Sequence, residues 1–305
     1  MQKLINYPHL ASEVFGVPHY ATRQMLDSVK SVLVPRLKGV AATQDILAFG
    51  ADTVSEPSPE VESGVVAVIP VHGMLVARRG QITETCTELT SYERIRSQLY
   101  AALNDNSVSE IVLDINSGGG MVSGCKELAD YIFQSRSIKP ITAIVNYSAY
   151  SAAYFIASAC GRIVMSQTSG VGSIGVIMEH MEMSRWEDQV GLTFTTFYRG
   201  DFKNTGSPHE KLSDAARAEI DQMIDSAYDL FTNSVAEYRG MKLQAVIDTQ
   251  ARCFTGEAGI KAGLADELAD PQTAINAIAA KYHQAKPTQS RIQMRAAAMS
   301  MQAKM

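Results

Sequence analysis

"SEIVLDINSGGG" (residues 109–120) decides how the chain is read. Its Ile-Val-Leu-Asp-Ile stretch, apolar but for Asp114, reads as a strand, and the β-branched apolar run upstream at 64–75 as a buried one, as in a parallel sheet. The 109–120 stretch ends in three glycines, Gly118, Gly119 and Gly120, rather than in a polar turn. Working outward, "MVSGCKELADYIFQ" (121–134) has helical periodicity, "KPITAIVNY" (139–147) is a second apolar β-branched run, and "YSAAYFIASAC" (150–160) reads as a buried helix. Upstream, "GVVAVIPVHGML" (64–75) is a strand, residues 74–90 a polar loop, and "SYERIRSQLYAALND" (91–105) an amphipathic helix. Downstream, "GRIVMSQTSGVGSIGVIME" (161–179) gives two short strands broken by glycines, and "LTFTTFYRGDF" (192–202) alternates like another strand. A long helix follows over 213–239, with Ser213 as its N-cap. "FTGEAGIKAGLADELAD" (254–270) and "PQTAINAIAAKYH" (271–283) supply two helices with a short strand between them. Strands alternating with helices argue for α/β layering.

The ends read differently. "YATRQMLDSVKSVLVPRL" (20–37) places Met25, Val29, Val32 and Leu33 at helical spacing until Pro35 and Gly39 break the pattern. The expected organisation is a helical extension over 1–40, a polar linker over 41–63, the α/β body over 64–284 and a Gln-, Ala- and Met-rich flexible tail over 285–305.

Composition narrows the function classes. The 305 residues are 46% hydrophobic and 19% charged, with a formal net charge of -5. No basic patch points to nucleic acid as a partner. Four cysteines without a Cys-x-x-Cys pair give neither a zinc site nor a disulfide framework and suit a reducing compartment. No window is long and apolar enough for a membrane span, and the first residues lack a signal-peptide core. No cofactor motif is present: the glycines form neither a Walker loop nor G-x-G-x-x-G.

The candidate chemistry lies where the glycines and the serines meet. Glycines after a buried strand allow close backbone approach and can aim N–H groups at a developing oxyanion, although the same spacing also suits a tight strand-to-helix turn. In "NYSAYSAAYFIASA" (146–159), Ser148, Ser151 and Ser158 stand among small and aromatic residues. If 149–159 is helical, Ser151 sits inside the first turn, where the helix dipole stabilises negative charge. Most serines at such positions are only caps. A nucleophilic serine also needs a base. His72 and His180 end apolar runs but lack the context of a Ser-His-Asp triad. Lys203, in the Gly/Asn/Ser/Pro-rich "YRGDFKNTGSPHEKLS" (198–213), is the other option, and it would need its pKa lowered by about three units to act at neutral pH.

Together these motifs resemble the signal peptide peptidase A-like serine proteases, and within them the phage head (capsid-maturation) proteases. "INSGGG" resembles that family's strand followed by Ser-Pro-Gly-Gly. "YSAAYFIASAC" resembles its Ala-Ser-Gly-Gly-Tyr-Tyr-Ile-Ala, and "YRGDFKNTGSPHEKLS" its Gly-x-Tyr/Phe-Lys-x-x-Gly-x-Pro. "VGSIGVI" and "FTGEAGIKAGLADEL" are also similar to family segments, and the likeness covers roughly 64–284. Gly118 stands where the family has proline, and Ala152 and Ala153 where it has two glycines.

The resemblance implies a Clp-protease/crotonase-like fold of repeated β-β-α units and a Ser-Lys dyad endopeptidase. Ser151 would be the nucleophile and Lys203 the base. Backbone N–H groups of Gly119, Gly120 and Ala152 would hold the oxyanion, with Ser148 and Ser173 as supporting hydroxyls and neither metal nor cofactor. It also implies a homo-oligomer, since serine and lysine can come from adjacent subunits in short members. Substrates would be scaffold, capsid or portal proteins, or the chain's own Ala-rich tail, "QMRAAAMSMQ" (293–302), in the host cytoplasm or procapsid. Substrate strands are expected to pair near the glycine-rich edge. The alternatives are a soluble bacterial signal-peptide-peptidase-like protease, and, in a different class, a crotonase-like acyl-CoA enzyme or an inactive scaffold, neither of which would need Ser151 or Lys203.

Overall fold

The glycine-rich run forms the middle of a nine-stranded sheet. The computed structural model of the protein describes residues 14–37, 66–78 and 89–283. The expected linker over 41–63, the tail over 285–305 and most of the loop expected over 74–90 lie outside these residues.

In chain order the elements are β1 (His19–Ala21), α1 (Arg23–Leu37), β2 (Val66–Val76), β3 (Thr90–Ser91), α2 (Tyr92–Asn104), β4 (Glu110–Met121), α3 (Cys125–Ser135), β5 (Ile141–Tyr150), α4 (Ala152–Ser158), β6 (Arg162–Met165) and β7 (Gly170–Gly172). They continue with α5 (Ser184–Val190), α6 (Asp214–Arg239), α7 (Leu243–Ile247), β8 (Cys253–Thr255), α8 (Glu257–Lys261), β9 (Glu267–Leu268) and α9 (Pro271–His283). Strands β3, β2, β4, β5, β6 and β9 lie side by side in that order, and every neighbouring pair is parallel. Helices cross over between them, which is the mixed α/β layering expected from the sequence.

Both faces of the sheet are covered, which explains the near-continuous apolar runs. On the first face Ile111, Leu113 and Ile115 of β4 join Ile95 and Leu99 of α2 and Leu128 and Ile132 of α3 in one core cluster. Helix α3 buries Cys125, Leu128, Ala129 and Ile132, a stripe at i, i+3, i+4 and i+7. All seven residues of α4 are buried, so this helix passes through the core. The Phe155 ring stacks on Phe231 of α6, centroids 4.6 Å apart. On the second face Val112, Ile144 and Val164 pack against Ala274 and Ile278 of α9. The buried Glu110 carboxylate accepts hydrogen bonds from Thr142 Oγ1 at 2.8 Å, Tyr282 Oη at 2.8 Å and Lys281 Nζ at 3.2 Å, tying α9 to the sheet.

Two local expectations fail. Helix α1 runs through Pro35 to Leu37. The proline sits in the last turn, where its missing N–H removes a single bond from a helix already ending. "LTFTTFYRGDF" forms no strand. Alternation supplies propensity, but a strand needs a partner, and Leu192, Phe194, Phe197, Tyr198 and Phe202 are all exposed.

Candidate active site

The geometry of β4 and β5 decides where the serine goes. The two strands run in one parallel register from Ile111↔Ile141 to Ile115↔Val145, shift register through an irregularity to Ser117↔Ala149, then separate. Strand β5 ends at Tyr150, and α4 begins at Ala152. Ser151 alone makes the turn, at φ 55° and ψ -118°. A non-glycine residue at positive φ is strained and persists only where the surroundings over-determine it. Here its N–H donates to Gly172 O at 2.9 Å, and its carbonyl accepts from Phe155 N at 2.8 Å. Ser151 thus stands at the strand–helix junction, one residue before the first turn in which the sequence reading set it.

The Ser151 side chain is fully buried, and its Oγ has no hydrogen-bond partner. An orphaned buried hydroxyl costs about 1–3 kcal/mol of desolvation, so it calls for a reason other than stability. The other two serines are satisfied. Ser158 Oγ donates to Phe155 O at 2.7 Å, as packing requires, and Ser148 Oγ donates to Asn116 Oδ1 at 2.8 Å. Ser173 also has positive φ, at 55°, and its N–H donates to Arg252 O at 2.9 Å.

The glycines close in on Ser151. Gly119 has φ 111°, and a Cβ there would lie 2.1 Å from Tyr20 O and 3.1 Å from Ser151 Cβ. A Cβ on Gly120 would lie 2.0 Å from Leu75 O. Only glycine fits either place. Of the three expected oxyanion donors, the Gly119 N–H donates to Ser117 Oγ at 3.1 Å, and that hydroxyl donates to Gly73 O at 2.5 Å. Gly120 faces Tyr20 and Leu75 across the sheet. The Ala152 N–H opens α4, where helix geometry supplies no intrahelical acceptor.

No base reaches Ser151 within the described residues. His72 Nε2 lies 3.0 Å from Asp114 Oδ2 instead. Lys203 is exposed in the turns after residue 198, so the structure leaves it and Ser151 apart. Its segment is nevertheless anchored. Met183 N donates to Pro208 O at 2.7 Å, Asn204 Nδ2 to Glu210 Oε1 at 2.6 Å, and His209 Nδ1 lies 2.7 Å from the buried carboxylate of Glu187. The Phe194 ring stacks on His209 at 4.0 Å. The neighbouring cysteines are poor rival nucleophiles. Burial pushes the Cys125 thiol far above its ordinary range and the Cys160 thiol up to about 12, so both stay protonated.

Two features had no signal in the sequence. Strand β1 is too short for periodicity to announce, yet it lines the glycine-rich edge. Ser117 holds Gly119 from the position before the glycines, where it reads as an ordinary turn residue.

Comparison with known proteins follows this geometry. The model of Peptidase family S49 matches residues 134–285, which include the serine junction and the lysine segment. A head-tail preconnector protein of Enterobacteria phage P21 is 41% identical over 214 residues, 70% of this chain and 42% of its own length. Capsid assembly protease C of Escherichia phage lambda is 33% identical over 290 residues, 90% of this chain and 65% of its own. A chloroplastic serine protease SPPA of Arabidopsis thaliana is 23% identical over 212 residues, 69% of this chain and 31% of its own. The chain therefore spans less than two thirds of the length of each of these three relatives. Among the described residues no helix is long and apolar enough to cross a membrane. With the family model covering the segment that builds the Ser151 turn, and with the two phage relatives alike over most of the chain, the protein carries a Peptidase family S49 domain over residues 134–285.

Proposed function

We propose that the protein is a serine endopeptidase in which Ser151 is the nucleophile and Lys203 the general base, acting on capsid or scaffold proteins during phage or prophage head maturation. The observation that carries this reading is the Ser151 hydroxyl, held at strained φ in a fully buried turn and left without a partner beside Gly119. Ser151 Oγ attacks a peptide carbonyl, and its proton passes to the lysine amine. The amine then hands the proton to the departing amino group and later activates water against the acyl-enzyme. The Ala152 N–H and a glycine N–H of the 119–120 segment receive the oxyanion.

Lys203 comes from a second copy of the chain. Its segment carries Phe197 at 89% exposure, with Leu192, Phe194, Tyr198 and Phe202 also exposed, and large apolar side chains grouped along one exposed segment suit a protein–protein contact. Burying that arm against another subunit also supplies the desolvation that makes a lysine a base at neutral pH. Domain bounds of 1–40, 41–63, 64–284 and 285–305, a location in the host cytoplasm or procapsid, and processing of the C-terminal tail belong to the same reading. Ser148 and Ser173 lie within it as supporting residues of the turn.

An active-site acylating probe tests the assignment. Stoichiometric labelling that disappears in Ser151→Ala and falls at least a hundredfold in rate in Lys203→Ala is expected. Labelling that survives Ser151→Ala refutes the nucleophile assignment.

A further inference from the structure

Strand β1 lies where a substrate strand would have to lie. Beyond Ser117↔Ala149, β5 turns away into Ser151, and the edge of β4 it vacates is taken by β1 in antiparallel register, His19↔Met121, Tyr20↔Gly120 and Ala21↔Gly119. The Thr22 N–H donates to Gly118 O at 2.9 Å. The opposite edge of β1 is also paired. His19 N donates to Ile177 O at 2.8 Å, Ile177 N donates to His19 O at 3.0 Å, and Gly16 N donates to Glu179 O at 2.9 Å. An extended segment is thus clamped between the glycine-rich strand and residues 177–179, hydrogen-bonded by its main chain on both sides.

The clamp closes over the serine. A Cβ added at Gly119 would meet Tyr20 O at 2.1 Å, Ala21 Cα at 3.0 Å and Ser151 Cβ at 3.1 Å, so β1 and the serine crowd the same side of this glycine, and Ser151, Tyr20 and Ala21 are all buried. The Tyr20 side chain fills a pocket between Phe155, one turn along α4 from Ser151, and Phe231, with ring centroids at 5.6 and 4.7 Å. Its hydroxyl donates to Ala227 O at 2.7 Å. Main-chain pairing along a strand with one side chain in a pocket is how a protease site reads an extended peptide.

We infer that Gly16–Thr22 is an internal occupant of the peptide cleft, so that the chain in this arrangement is latent and a substrate strand must displace β1 to reach Ser151. The inference rests on the reading of Ser151 as nucleophile. It also names the substrate: an extended segment with a tyrosine-sized aromatic residue in the place of Tyr20. Displacement is feasible because β1 has only three residues, and its removal leaves the parallel sheet paired.

The test measures the labelling rate of Ser151 by a small fluorophosphonate in the full chain, its Tyr20→Ala variant and its Thr22→Pro variant, each with Ser151→Ala as a control. Both variants are expected to label at least tenfold faster than the parent chain. A synthetic peptide of residues 14–22 added to Tyr20→Ala should slow labelling again, whereas a peptide with Tyr20 replaced by Ala should not. Equal or slower labelling in folded variants, checked by their melting transitions, overturns the inference while leaving the nucleophile intact. Labelling that persists in the Ser151→Ala controls overturns the nucleophile instead. Should both variants unfold, hydrogen exchange on the parent chain decides. Acylation by a peptidyl inhibitor with a tyrosine side chain should raise exchange at His19–Thr22, and unchanged protection there overturns the inference.

Discussion

The two halves of the proposed catalytic pair sit in opposite physical settings. Ser151 lies in the core, where β4, β5 and α4 converge and every residue from Ser151 to Cys160 is buried. Lys203 lies on an arm where residues 191–203 are all exposed and several are large and apolar. The first region is complete within one chain. The second has the composition of a core without the contacts of one. On the proposed reading, the contrast means that the fold holds the strained, desolvated partner of the dyad by itself and leaves its base to assembly, which would link activity to an oligomer.

The largest effects are expected where the comparison is most direct. Ser151→Ala should lower peptidase activity by about a thousandfold or more. It should leave the melting temperature unchanged or raised, because it removes an unsatisfied buried hydroxyl. A destabilised Ser151→Ala protein would mean that the hydroxyl is structural. Gly119→Ala combines strain at φ 111° with a contact at 2.1 Å, so it should cost about 2–5 kcal/mol in chemical denaturation and abolish labelling. Phe197→Asp probes the other region. Activity and assembly should fall together in sedimentation and peptidase assays, while protomer stability shifts by no more than about 0.5 kcal/mol. A large loss of protomer stability would show that the arm packs on its own chain.

A smaller effect concerns the frame that holds the serine helix. Arg239 at the end of α6 forms a bidentate pair with Asp266, at 2.6 and 3.0 Å, and Asp266 also accepts from Ile163 N at 2.7 Å. Burial raises the Asp266 pKa, but the guanidinium and the N–H outweigh it, so the net shift is downward. A carboxyl depressed in the folded state contributes fully above its ordinary range, near pH 4, and loses that contribution as the pH falls through the lower folded value. Thermal melts from pH 6 to pH 3 should show the parent losing stability relative to Asp266→Asn only below about pH 4. At pH 7 the variant should be less stable by about 1–2 kcal/mol. Least affected should be Lys126→Ala, which breaks an i,i+4 pair with Asp130 worth about 0.3–0.5 kcal/mol in the same denaturation assay.

The sequence carried the sheet because β4 and β5 are buried on both faces and must read as near-continuous apolar runs. It carried the long helix through the Ser213 cap, which accepts from Ala216 N at 3.1 Å. It singled out the glycines and Ser151 because their order along the chain resembles one family. It could not give β1, whose three residues owe their conformation to two distant partners, residues 119–121 and 177. Nor could it tell that "LTFTTFYRGDF" lacks a partner strand, since alternation looks the same with or without one. The Ser117 hydroxyl on Gly119 was hidden as well: it depends on the irregular path of β4 at its glycines, which composition does not record.

The proposed division of the site between subunits is tested most directly by mixing two inactive proteins. Ser151→Ala and Lys203→Ala are each expected to be inactive alone. After dissociation and reassembly together, they should recover peptidase activity, with the acyl label confined to the Lys203→Ala chains. A mixture that assembles to the parent's size yet stays inactive would contradict the account.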